Sequence, residues 1–198
     1  RIVWKTTDGG QSWVQKVRNS IADGIMAFAN QDTGVIFSSG RLARTTDAGE
    51  TWNEIIPPSD VVKNDASFAD SKVGYAVGNL TGIPGHPTWS DAAYCQKTSD
   101  GGATWTQLYT GISSLLECCQ ALDKKTLITG GDSKISRTFD GGSTWLQDTV
   151  LGFFKSISFS NKANGLIVGG DGPGSKPFGV IYSTTDTGKT WIKQFLPN

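Results

Sequence analysis

Apolar positions in this chain come in short runs broken by turn residues. Met26-Ala27-Phe28 is followed by Gly34-Val35-Ile36-Phe37, and Ala66-Ser67-Phe68 by Gly74-Tyr75-Ala76-Val77-Gly78. Ile157-Ser158-Phe159 is followed in the same way by Gly165-Leu166-Ile167-Val168-Gly169. In all three the Gly stands six places after the Phe. Runs this short predict one strand ending at Phe, a turn, and a more apolar strand opening at Gly.

A polar octet recurs between these runs. It reads Thr6-Thr7-Asp8-Gly9-Gly10-Gln11-Ser12-Trp13 and returns around Asp47 and Trp52, Asp100 and Trp105, Asp140 and Trp145, and Asp186 and Trp191. Successive Asp residues lie 39, 53, 40 and 46 positions apart. The octet predicts a tight turn. The Asp carboxylate accepts backbone N–H groups one to three residues on, and the Gly two places after Asp takes a positive φ. The Trp opens the next strand and carries apolar area between sheets. Each unit then reads strand A, turn, strand B, loop, strand C, Asp turn, strand D.

A period near 40 with four short strands is the spacing of a β-propeller blade. The expected fold is all-β, a β-propeller of four-stranded antiparallel blades. The blades fall at about 20–56, 62–109, 112–148 and 153–196, after a half blade over 1–19 that holds strands C and D alone. About four and a half blades are a single propeller domain or part of one: a piece of a larger ring, or a five-unit ring with one half-built blade. Ser114 to Leu122 conflicts locally, with a capping-box start and helical apolar spacing. Repeat register makes it a strand A, and register is taken over local propensity.

Composition narrows the partners. The 198 residues include 18 acidic and 18 basic ones, dispersed along the chain. That argues against nucleic acid. No run approaches the ~18 apolar residues of a transmembrane segment. Five of the 7 Trp and eight of the 25 Gly sit in the octets, so these excesses report architecture. One His and three Cys give no zinc spacing, and no segment supplies the alternating oxygens of a calcium loop. No metal or cofactor is expected.

The octets resemble the Asp-box, or BNR repeat, Ser/Thr-x-Asp-x-Gly-x-Thr-Trp, over essentially the whole chain. Sialidases, some plant-polysaccharide hydrolases and sortilin-type receptors share this repeat. The phrases from Phe68 to Gly78 and from Lys97 to Trp105 are most similar to the photosystem II stability/assembly-factor family. That resemblance implies an extracytoplasmic protein (secreted, periplasmic or of the thylakoid lumen) that carries no cofactor and binds protein partners. It also implies a structural role for the Asp turns, which lie opposite the ligand face formed by B–C and D–A loops.

Two B–C loops are expanded, Asn79 to Tyr94 and Gly170 to Gly179. Both fall at one place in the unit, so both are expected on one face, where binding residues collect. The candidate ligand or partner contacts are His86, Trp89, Asp91, Tyr94, Asp171, Lys176 and Phe178. An exposed Trp-Tyr-His set has the composition of a hot spot or a sugar-stacking platform. The opposing reading is a solvated loop that packs its Trp locally.

The expected function is a non-catalytic, protein-binding assembly or scaffold module. The alternative is glycan binding or sialidase-like glycoside hydrolysis on the same face. A sialidase needs an Arg cluster, and the chain has Arg1, Arg18, Arg41, Arg44 and Arg137. Arg44 and Arg137, like Lys5 and Lys97, stand three residues before an octet Asp, which reads as a solvated strand position. Asp60, Asp65, Asp91 and Asp171 fall toward the loop face, and spacing alone pairs none of them for hydrolysis.

Cys95 holds the strand C position filled elsewhere by Val3, Leu42, Ile135 and Ile181, and reads as a core residue. A disulfide from Cys95 to Cys118 or Cys119 stays open in an oxidising compartment. Asn79-Leu80-Thr81 is a glycosylation sequon on a loop expected to be exposed.

Overall fold

The apolar runs fold as strands because side chains alternate between two faces: Gly34–Ser38 and Gly74–Asn79 are buried on both, whereas Gly165–Gly170 turns Leu166 and Val168 to solvent. The computed structural model describes residues 2–18, 24–38, 41–55, 62–79, 93–108, 110–112, 114–171 and 179–195. The strands are β1 (Ile2–Lys5), β2 (Val14–Arg18), β3 (Ile25–Phe28), β4 (Gly34–Ser38), β5 (Arg41–Thr45), β6 (Asn53–Ile55), β7 (Val62–Phe68) and β8 (Gly74–Asn79). They continue as β9 (Ala93–Thr98), β10 (Thr106–Leu108), β11 (Leu116–Ala121), β12 (Leu127–Thr138), β13 (Leu146–Phe159), β14 (Gly165–Gly170), β15 (Gly179–Thr184) and β16 (Ile192–Gln194). No helix occurs among the described residues. Leu116–Ala121, in the segment with local helical spacing, is strand β11.

The sheets are β1-β2, β3 to β6, β7 to β10, and a six-stranded array from β11 to β16, each in chain order. The large array joins two units. β12 pairs with β11 through Leu127–Gly131 and with β13 through Asp132–Arg137. Ser133, at φ 53, lies between its halves, and Thr129 Oγ1 donates to Ser136 O at 3.3 Å. β13 pairs with β12 from Leu146 to Phe153, then with β14 from Phe153 to Phe159. The architecture is an all-β propeller of antiparallel four-stranded sheets, with apolar clusters between successive sheets.

The six-residue Phe-to-Gly interval is a packing rule. Phe28 faces Gly34, Phe68 faces Gly74 and Phe159 faces Gly165 across the A–B ladder. A Cβ on these glycines would stand 2.9, 2.5 and 2.7 Å from the facing ring. The ring lies over the bare backbone and meets a strand D Trp edge-on: Phe28–Trp52, Phe68–Trp105 and Phe159–Trp191, with centroids 6.1, 6.2 and 6.1 Å apart. The remaining unit inverts the sizes. Ala121 faces Leu127, and Trp145 packs against their cluster.

Each Asp turn closes on the residue four places on, one beyond the expected reach. Asp8, Asp47, Asp100, Asp140 and Asp186 accept that N–H on Oδ1 at 2.9 Å. Oδ2 accepts the hydroxyl of the same residue at 2.6–2.7 Å. The Thr two places before donates to Asp Oδ1 and accepts the N–H of the second turn residue, as Thr45 does from Gly49 at 2.8 Å. The residue directly after Asp is also left-handed, including Ala48 at φ 58 and Thr187 at φ 66. The Trp indoles of four turns donate to that second residue's carbonyl, while the buried Trp52 Nε1 has no partner among the described residues.

Three of the basic residues that stand three places before an Asp, Lys5, Arg44 and Lys97, are inter-sheet latches rather than solvated cations. Arg44 Nε donates to Gly101 O at 2.8 Å and Lys97 Nζ to Gly141 O at 3.2 Å, each on the next Asp turn. Lys5 pairs with Glu50 on the second turn at 2.7 Å. Arg137 departs from the series: it is buried and pairs with Asp148 on its own strand D, leaving Nε without a partner. Inner strands are tethered too. Ala121 N–H donates to Ser67 Oγ at 3.1 Å and Phe159 N–H to Gln120 Oε1 at 2.8 Å.

One expectation is corrected, and one pairing that stayed open is not formed. Cys95, Cys118 and Cys119 are buried, and no disulfide joins them. Cys95 and Cys119 share one apolar cluster, while Cys118 faces the other side of β11. Burial pushes the Cys118 thiol up to about 12 and Cys119 well above its usual value, so both behave as core side chains. Asn79 is buried, and its Oδ1 accepts the Leu116 N–H at 3.0 Å. Its amide already serves a structural bond, so the sequon does not sit on an exposed side chain.

Two outcomes follow from the packing and the turns. Phe68→Ala and Gly74→Leu each lower unfolding free energy by about 2–4 kcal/mol. The double variant recovers at least ~1 kcal/mol of their sum, because it recreates the Ala121–Leu127 arrangement; urea denaturation reads the cycle, and strict additivity would disprove size complementarity. The second outcome concerns acid. The hydroxyl and N–H of the residue four on hold the Asp8, Asp47 and Asp186 carboxyls at about 2, and Asp140 lower still. Their folded values lie below the unfolded value near ~3.9, so their contribution is complete above about pH 4 and is lost as pH falls toward 2. Thermal unfolding followed by circular dichroism should show Tm dropping across that window, with a shallower drop in Asp47→Asn.

Candidate functional site

The two ends of the sheets carry different chemistry. One end holds the Asp turns and the A–B turns, tied by Ala48 N–H to Asp32 O, Gly101 N–H to Lys72 O and Gly141 N–H to Lys125 O, all 2.8 Å. The other end is where both long loops leave and return. Val62 pairs with Asn79, and Asn79 with Ala93. Phe153 pairs with Gly170, and Gly170 with Gly179.

Of the candidate contacts, His86, Trp89, Asp91, Lys176 and Phe178 lie outside the described residues. Asp171 is exposed at the root of the second loop. Tyr94 is a correction: it is 2 % exposed, and its hydroxyl accepts the Gln96 Nε2–H at 2.7 Å. It belongs to strand β9 rather than to the loop, and strand alternation turns it into the gap between sheets. It is a packed residue, not an exposed aromatic contact.

At this same end three inner strands are interrupted. The ladder register shifts between Lys63 and Asp65 in β7, between Leu116 and Cys118 in β11, and between Phe154 and Ser156 in β13. Each shift leaves one residue unopposed: Asn64, Glu117 and Lys155. A bulge of this kind bends the strand and re-aims a side chain. It also brings the backbone close to the facing strand. A Cβ on Gly131 would stand 1.6 Å from Leu115 O, and one on Gly169 2.1 Å from Phe153 O.

The unopposed residues form a polar rim. Asn64 Nδ2 donates to Leu116 O at 2.7 Å, and Lys155 pairs with Glu117 at 2.9 Å. Beside them Asp65 accepts Cys119 N–H and Ala66 N–H, both at 2.8 Å. Burial raises the Asp65 carboxyl above its ordinary value, against the pull of those two N–H donors. Amide, carboxylate and ammonium groups side by side can bond a polypeptide backbone. They are poorly arranged for hydrolysis, because the Asp65 oxygens are engaged and Glu117 is ion-paired. None of these three rim residues was read from the sequence as functional. Their signal was their common position four before Phe68, Ala121 and Phe159.

The Asp-turn end offers a cleft lined by Lys5, Thr7, Ser12, Val14, Lys16 and Glu50. The Glu50 carboxylate occupies it, bonded to Lys5 at 2.7 Å and Lys16 at 2.6 Å. Among the described residues no three His, Cys, Asp or Glu side chains form a metal-binding group. Among the described residues no helix is long and apolar enough to cross a membrane.

No protein-family model and no curated protein matches the chain. Solved structures do. One is YCF48 bound to a D1 peptide, 20 % identical over 92 % of this chain and 56 % of that one, with a TM-score of 0.65. YCF48 from Cyanidioschyzon merolae is 16 % identical over 89 % of this chain and 57 % of that one, also at 0.65. An ancestral GH74 enzyme is 15 % identical over 96 % of this chain, with a TM-score of 0.72. The chain spans little more than half the length of the two YCF48 structures and 28 % of the enzyme. At these identities the likeness carries the propeller fold.

The rim separates structural from accessible groups by mutation. Asp65→Ala leaves the Cys119 N–H without its acceptor and lowers stability by about 1–3 kcal/mol. Glu117→Gln changes it by less, up to about 1 kcal/mol, as expected for a pair whose Lys155 end is exposed to solvent. Guanidinium denaturation checks both values.

Proposed function

We propose that this chain is a non-catalytic propeller scaffold that binds a protein partner at its loop-bearing end, in an extracytoplasmic compartment. One observation carries the reading. Both long loops root at the end where Asn64, Glu117 and Lys155 form the polar rim, while the Asp-turn carboxylates at the other end are consumed inside their own turns. The Asp-box resemblance supports the compartment and a place near the photosystem II assembly-factor family. YCF48, a structural neighbour, was solved with a D1 peptide, and an extended peptide is the ligand class we assign here. His86, Trp89, Asp91, Lys176 and Phe178 supply the side-chain contacts, and the rim supplies hydrogen bonds to the peptide backbone.

The glycan reading makes a different prediction from the same end. In a peptide array, binding should weaken about tenfold or more in the Trp89→Ala and Phe178→Ala variants, a loss of at least ~1.4 kcal/mol, with Tm within a few degrees of the parent. A parallel glycan array and glycoside-hydrolysis screen should give no turnover. Clear turnover, or a large fall in Tm for either variant, overturns the scaffold reading.

A further inference from the structure

Side chains tie neighbouring inner strands together, and they follow a register. The residue before the end of one strand A accepts the N–H of the last residue of the next. Ser67 Oγ accepts from Ala121 at 3.1 Å, and Gln120 Oε1 from Phe159 at 2.8 Å. Asp65, three places before the end of β7, accepts the Cys119 N–H on Oδ2 at 2.8 Å. The Asn64–Leu116 bond and the Lys155–Glu117 pair add ties at the loop-bearing end. β7, β11 and the Phe153–Phe159 half of β13 are thereby bonded into one inner row.

The seam between β3 and β7 breaks this series. β3 packs beside β7, yet it reads Ile25-Met26-Ala27-Phe28 and has no polar side chain. Counted back from Phe28 and Phe68, Ala27 and Ile25 stand where β7 has Ser67 and Asp65. Neither Phe68 N–H nor Ala66 N–H therefore receives an acceptor from a β3 side chain. Ala66 N–H is taken instead by Asp65 Oδ1 of its own strand at 2.8 Å. Small side chains, Ala27 and Ala66, line the inner part of the seam. The large ones lie further out, where Val35, Phe37 and Leu42 of one sheet share a buried cluster with Trp105 of the other. At the Asp-turn end Arg44 Nε reaches Gly101 O at 2.8 Å. Among the described residues no other side-chain hydrogen bond or ion pair spans this seam.

We infer that the seam between the β3–β6 and β7–β10 sheets is a hinge built into the fold. The β3–β6 sheet swings against the body formed by the three following units. It pivots about the Arg44–Gly101 bond and parts along β3 and β7. One polar latch at the outer end and small apolar side chains at the inner end resist rotation less than the bonded inner strands of the next two seams. Both long loops root on the three-unit body, one between β8 and β9 and the other between β14 and β15. The swing therefore leaves the spacing of their roots unchanged and moves the β3–β6 sheet past them.

Relaxation-dispersion NMR on the full chain reads the motion. Amides of β3 and β7 should share one exchange rate in the microsecond-to-millisecond range that is absent from β11 and from Phe153–Phe159. Ala27→Ser copies Ser67 and offers Phe68 N–H an acceptor. Dispersion at the seam should then fall, and hydrogen exchange of the Phe68 amide should slow about fivefold or more. Arg44→Met loosens the pivot and should enlarge the dispersion. Ser67→Ala is the control: exchange of the Ala121 amide should quicken about fivefold without new dispersion, because Asn64 and Asp65 still hold that seam. Flat profiles across β3 and β7, or dispersion spread evenly over all inner strands, would overturn the hinge. So would dispersion that Arg44→Met leaves unchanged. A Phe68 amide unprotected in Ala27→Ser would break the register on which the hinge rests, and undiminished dispersion beside a protected Phe68 amide would separate the motion from the missing tie.

Discussion

One carboxylate per unit holds this structure together. Each Asp-turn carboxylate ties the chain to the residue four places on, and that bond fixes the two left-handed residues between them. Their backbone groups then point outward in set directions. In four turns the N–H of the first bonds the A–B turn of the same sheet, and at Gly101 and Gly141 its carbonyl also receives the Arg or Lys latch from the preceding sheet. The turn also aims the Trp at the strand A Phe. A single local motif therefore sets the hairpin, the sheet and the inter-sheet contact. Without the carboxylate the left-handed pair would have little to hold it, since Ala48 and Thr187 adopt that region at a cost.

Between the sheets, size and charge are matched position by position. Phe over Gly in three units and Ala against Leu in the fourth fill similar space by opposite choices. The latches vary in the same spirit. Arg44 and Lys97 reach backbone carbonyls, Lys5 reaches a Glu side chain, and Arg137 turns to Asp148. The last unit has Ser183 at this position, so the inter-sheet latches end with Lys97. The repeat is thus a frame in which individual contacts can be exchanged, at the cost of an occasional unpaired polar atom such as Arg137 Nε.

Much of this was legible in the sequence, for a physical reason: turns and cross-strand pairs are local. The octets located every Asp turn, and the Phe-to-Gly interval located the A–B hairpins. Register also settled β11 against its helical spacing. What stayed hidden depends on contacts between distant residues. Arg44 reads as a solvated cation until Gly101, fifty-seven positions away, is brought beside it. Tyr94 reads as loop until strand β9 is seen to begin at Ala93. The bulges at Asn64, Glu117 and Lys155 leave no compositional mark, because any residue can stand where a ladder slips.

The bulges also bear on what kind of protein this is. A hydrolase of carboxylate type needs two acids free to exchange protons across a cleft. Here the carboxylates with the lowest affinity for protons, in the Asp turns, each accept both the N–H and the hydroxyl of the residue four on. At the opposite end Asp65, raised by burial, is fixed by two N–H donors and cannot turn toward a ligand without leaving Cys119 unpaired. Among the described residues at that end stand the Asn64 amide, the Lys155–Glu117 pair and the exposed Asp171. Such groups can form hydrogen bonds, whereas the Asp-turn acids are already committed to the N–H and hydroxyl groups of their own turns.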